Sequence, residues 1–214
     1  MSLLESLLDE KIVAILRKVP SNKIKPTVQA LSDGGIKLLE ITMNSNMALE
    51  SIYETRKIYD QNEIFIGAGT VLNIKMAKEA IEAGAQFLIS PNLDLSVISY
   101  AIERNIEIWP GVMTPTEIVN AWNAGVNAVK LYPADKLGSQ YIKDIKAPLD
   151  NIPIIATGGI NIENLEMYFK AGTDAVGVGG QLVQQEMIEN NRFEDLKKLA
   201  EKFVEIAAYG RSPL

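Results

Sequence analysis

"NAGVNAVKL", residues 123–131, compresses a helix end and a strand start into nine residues. A glycine stands where an amphipathic run should finish in a left-handed residue, and an apolar strand begins directly after it. The same pattern recurs in "DGGIKLLEI" (33–41), "EAGAQFLIS" (82–90) and "KAGTDAVGV" (170–178). Between these lie four strands with other introductions: "KIVAILR" (11–17), "EIFIGAGT" (63–70), "IEIWPG" (106–111) and "IPIIATGG" (152–159). Periodicity predicts helices over 23–33, 47–60, 73–83, 94–104, 115–124, 139–147, 162–171 and 192–208. Asn73, Asp94, Thr114 ahead of Pro115, and Asn161 supply helix-start signals. Eight strands alternating with helices imply parallel pairing with right-handed crossovers. In 214 residues that pattern fits a single (β/α)8 barrel domain spanning 1–214, with an N-terminal helix ahead of the first strand. The competing fold is an open doubly wound sheet, but neither "GAGTVL" nor "GVGGQL" meets its G-x-G-x-x-G fingerprint.

Composition narrows the chemistry. The chain has neither His nor Cys, which removes Ser-His-Asp and Cys-His nucleophiles, disulfides and nearly all zinc sites. Catalysis would fall to Lys, Asp/Glu, Tyr, Ser/Thr or a carboxylate-held hard metal. No clustered Asp/Glu set stands at the strand ends, so no metal and no cofactor is expected. A net charge of −6 offers no basic footprint for nucleic acid or an anionic membrane. No apolar run reaches membrane-spanning length and the N-terminus does not read as a signal peptide, so a cytoplasmic protein is expected.

Barrels of this class place their active sites at the carboxyl ends of the strands. There the sequence puts Arg17, Glu40 and Thr42, Gly69 and Thr70, Ser90 and Pro91, then Pro110, Gly111 and Thr114. Lys130, Tyr132 and Pro133 close the sixth strand, Thr157 to Gly159 the seventh, and Gly179 with Gly180 the eighth. Lys130 is the unusual one, a lysine flanked by Val129 and Leu131. It points to the opposite face from both, and burying an unpaired ammonium is costly. An amine at its ordinary pKa of about 10.4 is almost wholly protonated at neutral pH, and burial is one way to free it. A free amine could attack a ketone, the resulting iminium serving as an electron sink for carbon–carbon bond cleavage. Equally, Lys130 could be structural, reaching the barrel mouth or pairing with a carboxylate.

Glu40, in "LLEIT", is the matching carboxylate in an apolar strand, suited to proton transfer or to a plain ion pair with Lys130. "ATGG" and "VGVGG" occupy the two strand ends where barrels commonly hold phosphate on backbone N–H groups. Arg17 is a candidate clamp for a carboxylate or phosphate.

With these residues assembled, the chain resembles the class I aldolases for 2-keto-3-deoxy-6-phosphogluconate and 4-hydroxy-2-oxoglutarate, the KDPG/KHG aldolases. "KIVAILR", "LLEIT", "IGAGTVLN", "AGAQFLISPN", "PGVMTPTE", "VKLYPAD" and "ATGGI" carry the likeness, in the family's order. The resemblance implies Lys130 as the Schiff-base lysine and Glu40 as the general acid/base, working through a water. It implies Arg17 and Thr70 against the pyruvate portion, Pro91 in the pocket, and Gly158, Gly159, Gly179 and Gly180 around the phosphate. The implied reaction is reversible cleavage of a phosphorylated keto-deoxy sugar acid, of gluconate or galactonate type, to pyruvate and glyceraldehyde 3-phosphate. Cleavage of 4-hydroxy-2-oxoglutarate to pyruvate and glyoxylate, and a homotrimer, are implied as well.

Two departures stand out. Where gluconate-type members can carry "TLRT", this chain has "TMNS" (42–45), similar to "PLNS" of the galactonate-type branch, which shifts carboxylate recognition toward Arg17. Gly180 stands where many members have Ser, leaving the backbone donors to bind phosphate. A phosphosugar isomerase or epimerase, and a non-catalytic phosphosugar-binding barrel, are the other readings of the same residues.

Overall fold

In a computed structural model, residues 2–59 and 63–209 are described. One parallel sheet runs β5-β4-β3-β2-β1-β9-β8-β7-β6. Its strands are β1 (Ile12–Leu16), β2 (Leu38–Thr42), β3 (Phe65–Gly69), β4 (Phe87–Ile89), β5 (Glu107–Trp109), β6 (Gly111–Val112), β7 (Val129–Leu131), β8 (Ile154–Thr157) and β9 (Ala175–Val178). The count differs from the eight expected because Pro110, which has no N–H to give to a ladder, splits the fifth barrel strand into β5 and β6. β5 pairs with β4 and β6 with β7, so the broken strand is also where the sheet closes. The (β/α)8 barrel is thus the observed architecture.

The helices are α1 (Leu3–Glu10), α2 (Ser21–Asp33), α3 (Ala48–Ile58), α4 (Ile74–Glu82), α5 (Leu95–Ile102), α6 (Pro115–Asn123), α7 (Ala134–Lys146), α8 (Leu165–Lys170), α9 (Gln185–Glu189) and α10 (Phe193–Tyr209). Asn73, Asp94 and Thr114 each accept a backbone N–H at the start of their helix, as expected. The four repeat glycines Gly35, Gly84, Gly125 and Gly172 all take left-handed φ, between 90° and 99°, which a residue with a Cβ avoids. This is the turn that converts each helix exit into a strand entry.

Three expectations shift. The helix expected over 139–147 starts earlier, at Ala134, and is interrupted by Gly138 (φ 79°, ψ 163°). Asn161 does not head α8: its side chain and that of Asn164 accept each other's backbone N–H in a closed turn, and the helix follows at Leu165. The short α9 was not anticipated, being too brief to show a period.

Two apolar layers hold the barrel. The larger lies between strands and helices and draws on outward-facing residues such as Ala14, Leu39, Ile66, Leu88 and Val176. The smaller fills the lumen with Val13, Leu38, Phe87, Ile89, Trp109, Ala128, Ile155 and Ala175. Phe87 and Trp109 stack there with ring centroids 4.6 Å apart, and Gly67 makes room, since a Cβ on it would lie 2.2 Å from the Phe87 ring. Each Val, Leu, Ile or Phe of this layer contributes roughly 1.5–3 kcal/mol of burial. The N-terminal helix α1, started by a Ser2–Glu5 capping box, sets Leu3, Leu4 and Leu7 against this inner layer and plugs the amino end of the barrel. The opposite end stays open.

Candidate active site

Alternation along the strands decides which residues face that open end. On β7 the apolar Val129 and Leu131 belong to the outer layer, so Lys130 faces the lumen. On β2, Leu39 and Ile41 face outward and Leu38, Glu40 and Thr42 inward. Lys130 is 5% exposed and Glu40 1%, deep for two charged residue types.

The ion pair that would make them merely structural is not formed. No contact within 4.0 Å joins Lys130 to a carboxylate among the described residues. Oε1 of Glu40 is buried without any hydrogen-bond partner among them. Burial pushes the Glu40 carboxyl above its ordinary value, and the charges of Lys130 and then Arg17 pull it part of the way back. A carboxyl whose affinity for a proton is raised by burial, close enough to sense the charge of Lys130 without pairing with it, is suited to giving and taking a proton. The Lys130 Nζ lies 5.5 Å from the ring centroid of Tyr132, two residues along the chain.

Next to this pair a pocket of about 320 Å³ opens at the ends of β1, β8 and β9. It collects Arg17, Gly158, Gly159, Gly179 and Gly180 from the expected set. Gly158 and Gly159 both take positive φ (102° and 71°), which turns the chain sharply after β8. After β9 the N–H groups of Leu182 and Val183 close a single turn on the Gly179 carbonyl. The amides of Gly159, Gly180 and Gln181 make no backbone hydrogen bond among the described residues. Unpaired N–H groups on glycine turns form a cradle for an anion. Arg17, exposed at the end of β1, supplies the guanidinium on the rim.

Thr70 and Pro91 lie outside this pocket. Thr70 follows β3, half-buried, at φ 59°, and a β-branched residue there costs about 1–3 kcal/mol, a strain typical of functional positions. Pro91 follows β4, and its carbonyl carbon lies 2.2 Å from where a Cβ on Gly111 would be, so only glycine lets β6 approach. Tyr132 and Thr157 also line the pocket, while Ile15, Gly177 and Gln181 went unnoticed in the sequence. The period of two in "VGVGG" could have exposed Gly177, which faces inward like Gly179 and yields space to the Thr157 hydroxyl. No group of three or more Asp or Glu able to hold a metal occurs among the described residues.

Known proteins resemble the chain over most of its length. The profile of the family described as KDPG and KHG aldolase matches residues 4–199. The chain is 35% identical over 172 residues to the 2-dehydro-3-deoxy-6-phosphogalactonate aldolase of Escherichia coli K12, covering 80% of this chain and 83% of that one. It is 31% identical over 182 residues to the 2-dehydro-3-deoxy-phosphogluconate aldolase of Treponema pallidum, covering 85% and 86%. A solved structure of KDPG aldolase from Legionella pneumophila, with pyruvate captured as a covalent carbinolamine, superposes with a TM-score of 0.87 at 26% identity, covering 94% of this chain and 97% of that one. The family profile over most of the chain and relatives above 30% identity show that the chain belongs to the KDPG and KHG aldolase family of lyases.

Proposed function

We propose that this chain is a Schiff-base aldolase cleaving a 2-keto-3-deoxy-6-phospho sugar acid of the gluconate or galactonate series to pyruvate and glyceraldehyde 3-phosphate. The observation that carries the reading is Lys130, buried in the lumen without a carboxylate partner and facing a Glu40 whose Oε1 is also unpartnered. The Lys130 amine adds to the C2 ketone, and loss of water leaves an iminium. Glu40, through a water, takes the C4 hydroxyl proton as the C3–C4 bond breaks. The bonding electrons flow into the iminium, the aldehyde departs, and an enamine remains. Glu40 returns the proton to C3, and hydrolysis frees pyruvate and the amine.

Arg17 and Thr70 hold the keto acid end, Pro91 bounds it, and the amides around Gly158, Gly159, Gly179 and Gly180 hold the phosphate. 4-Hydroxy-2-oxoglutarate offers the same C1–C4 framework without the phosphate, so its cleavage to pyruvate and glyoxylate follows from the same machinery. The reaction as written uses no metal or cofactor, and the partners are small molecules, not nucleic acid or membrane. No helix among the described residues is long and apolar enough to cross a membrane.

Residues 1–214 read as one domain, supported by the single sheet that all nine strands share. A homotrimer is supported by Met47, Leu72, Ile74, Leu95 and Met113, exposed apolar side chains near the starts of α3 to α6. A cytoplasmic site is supported by relatives that are enzymes of small metabolites.

Incubation with pyruvate and sodium borohydride, followed by peptide mass mapping, tests the mechanism. A reduced pyruvate adduct on Lys130 is expected. A folded protein that gains no adduct, or gains it on another lysine, overturns the assignment. Assaying both sugar acid epimers beside 4-hydroxy-2-oxoglutarate then ranks the substrates.

A further inference from the structure

Arg17 stands on a turn that needs outside support. Lys18, the next residue, takes φ 55°, a left-handed conformation uncommon for a residue with a Cβ. The Lys18 N–H donates to Oγ of Ser45, 2.8 Å away across the gap between the exits of β1 and β2. The same Oγ lies 2.9 Å from Oγ1 of Thr42, which is wholly buried at the end of β2. A third bond, from the Ser45 N–H to the Thr42 carbonyl at 3.0 Å, fixes Ser45 relative to that strand. One hydroxyl thus ties the Arg17–Lys18 turn to the rigid floor of the barrel mouth.

We propose that Ser45 is a positioning residue for the keto acid substrate, acting through the Arg17 turn that its hydroxyl clips to Thr42. The inference rests on the reading of Arg17 as the clamp for the substrate carboxylate. Arg17 is exposed and makes no ion pair among the described residues, so nothing but its backbone determines where its guanidinium starts from. Its charge is felt by Glu40, so the clip also sets how much positive field reaches the buried carboxyl. Ser and Thr can make the clip, whereas Ala cannot.

The test is a double-mutant cycle on steady-state kinetics with the full-length protein. Ser45→Ala should raise KM for the sugar acid about five- to tenfold, the worth of one well-placed hydrogen bond, with kcat changed less than about threefold. Ser45→Thr should restore KM with a thermal midpoint matching the parent, while Ser45→Ala should remain folded with a modestly lowered midpoint. Arg17→Ala should raise KM further than Ser45→Ala, and adding Ser45→Ala to it should cost nothing more. If Arg17→Ala impairs KM but Ser45→Ala does not, or if the two effects multiply independently, the positioning role is overturned while the clamp stands. If Arg17→Ala leaves KM unchanged, the clamp reading fails and the positioning role fails with it.

Discussion

A Cβ placed on Gly69 would lie 1.6 Å from Oε1 of Glu40, so the carboxyl occupies the space that glycine leaves empty at the end of β3. The Gly69 backbone is not left-handed, and the three atoms nearest such a Cβ all belong to the Glu40 side chain. Gly69→Ala should therefore fold, since a strand tolerates Ala, yet push Glu40 off its line to the substrate. General acid/base help of the kind lost here is worth about 10²–10⁴ in rate. We expect kcat to fall toward that range with an unchanged circular dichroism spectrum, and a Gly69→Ala enzyme of parental kcat would contradict the geometry.

The raised pKa of Glu40 has a consequence for stability. Between its unfolded and folded values the native state binds more protons than the unfolded state, so stability declines as pH climbs through that window and does not recover above it. Glu40→Gln removes this cost at neutral pH. The thermal midpoint should rise by about 2–4 °C for each kcal/mol relieved. Turnover should fall sharply. Parallel melts at acidic and neutral pH should show the advantage of Gln growing with pH, and an advantage that shrinks would reverse the sign assigned here.

Lys130 pulls the Glu40 carboxyl downward against the effect of burial. Lys130→Met removes both the amine and that charge, so imine chemistry should vanish and the Glu40 carboxyl should titrate at still higher pH. Carboxyl infrared bands followed through a pH series would show the displacement. A band that titrates lower than in the parent would mean that the lysine is not the dominant cation at Glu40.

Gly159→Ala should separate phosphate binding from the chemistry. The residue takes φ 71°, and a Cβ there would lie 2.3 Å from Cβ of Asp135, so the cradle must distort. KM for the phosphorylated sugar acid should rise about tenfold or more, as expected when anion contacts worth over 1.4 kcal/mol are lost. Borohydride trapping with pyruvate, which carries no phosphate, should proceed as in the parent. Equal damage to both would place Gly159 in the catalytic machinery rather than in the phosphate cradle.

Much of this architecture is written in local sequence. Helix-ending glycines at 35, 84, 125 and 172 announce a left-handed turn wherever they fall, and side-chain alternation alone sends Lys130 and Glu40 to the face opposite their apolar neighbours. Those are local rules, and local rules survive without knowledge of what packs where. The division of the fifth strand at Pro110 is local too, although its place at the closure of the sheet is not.

What tertiary structure alone decided are the relations between strands distant in sequence. Whether Glu40 and Lys130 neutralise each other depends on how the two side chains span a lumen whose filling is shared among nine strands, and here they do not meet. Ser45 gives no signal in "TMNS"; its role arises because β1 and β2 are neighbours in parallel register, which brings the turn at Lys18 within hydrogen-bond reach. Gly69 is an ordinary strand-end glycine until Glu40 is seen to fill the missing volume. Sequence determines conformation residue by residue through backbone sterics and periodicity, while close packing, which acts between segments, decides which of those residues share a volume and hence a chemistry.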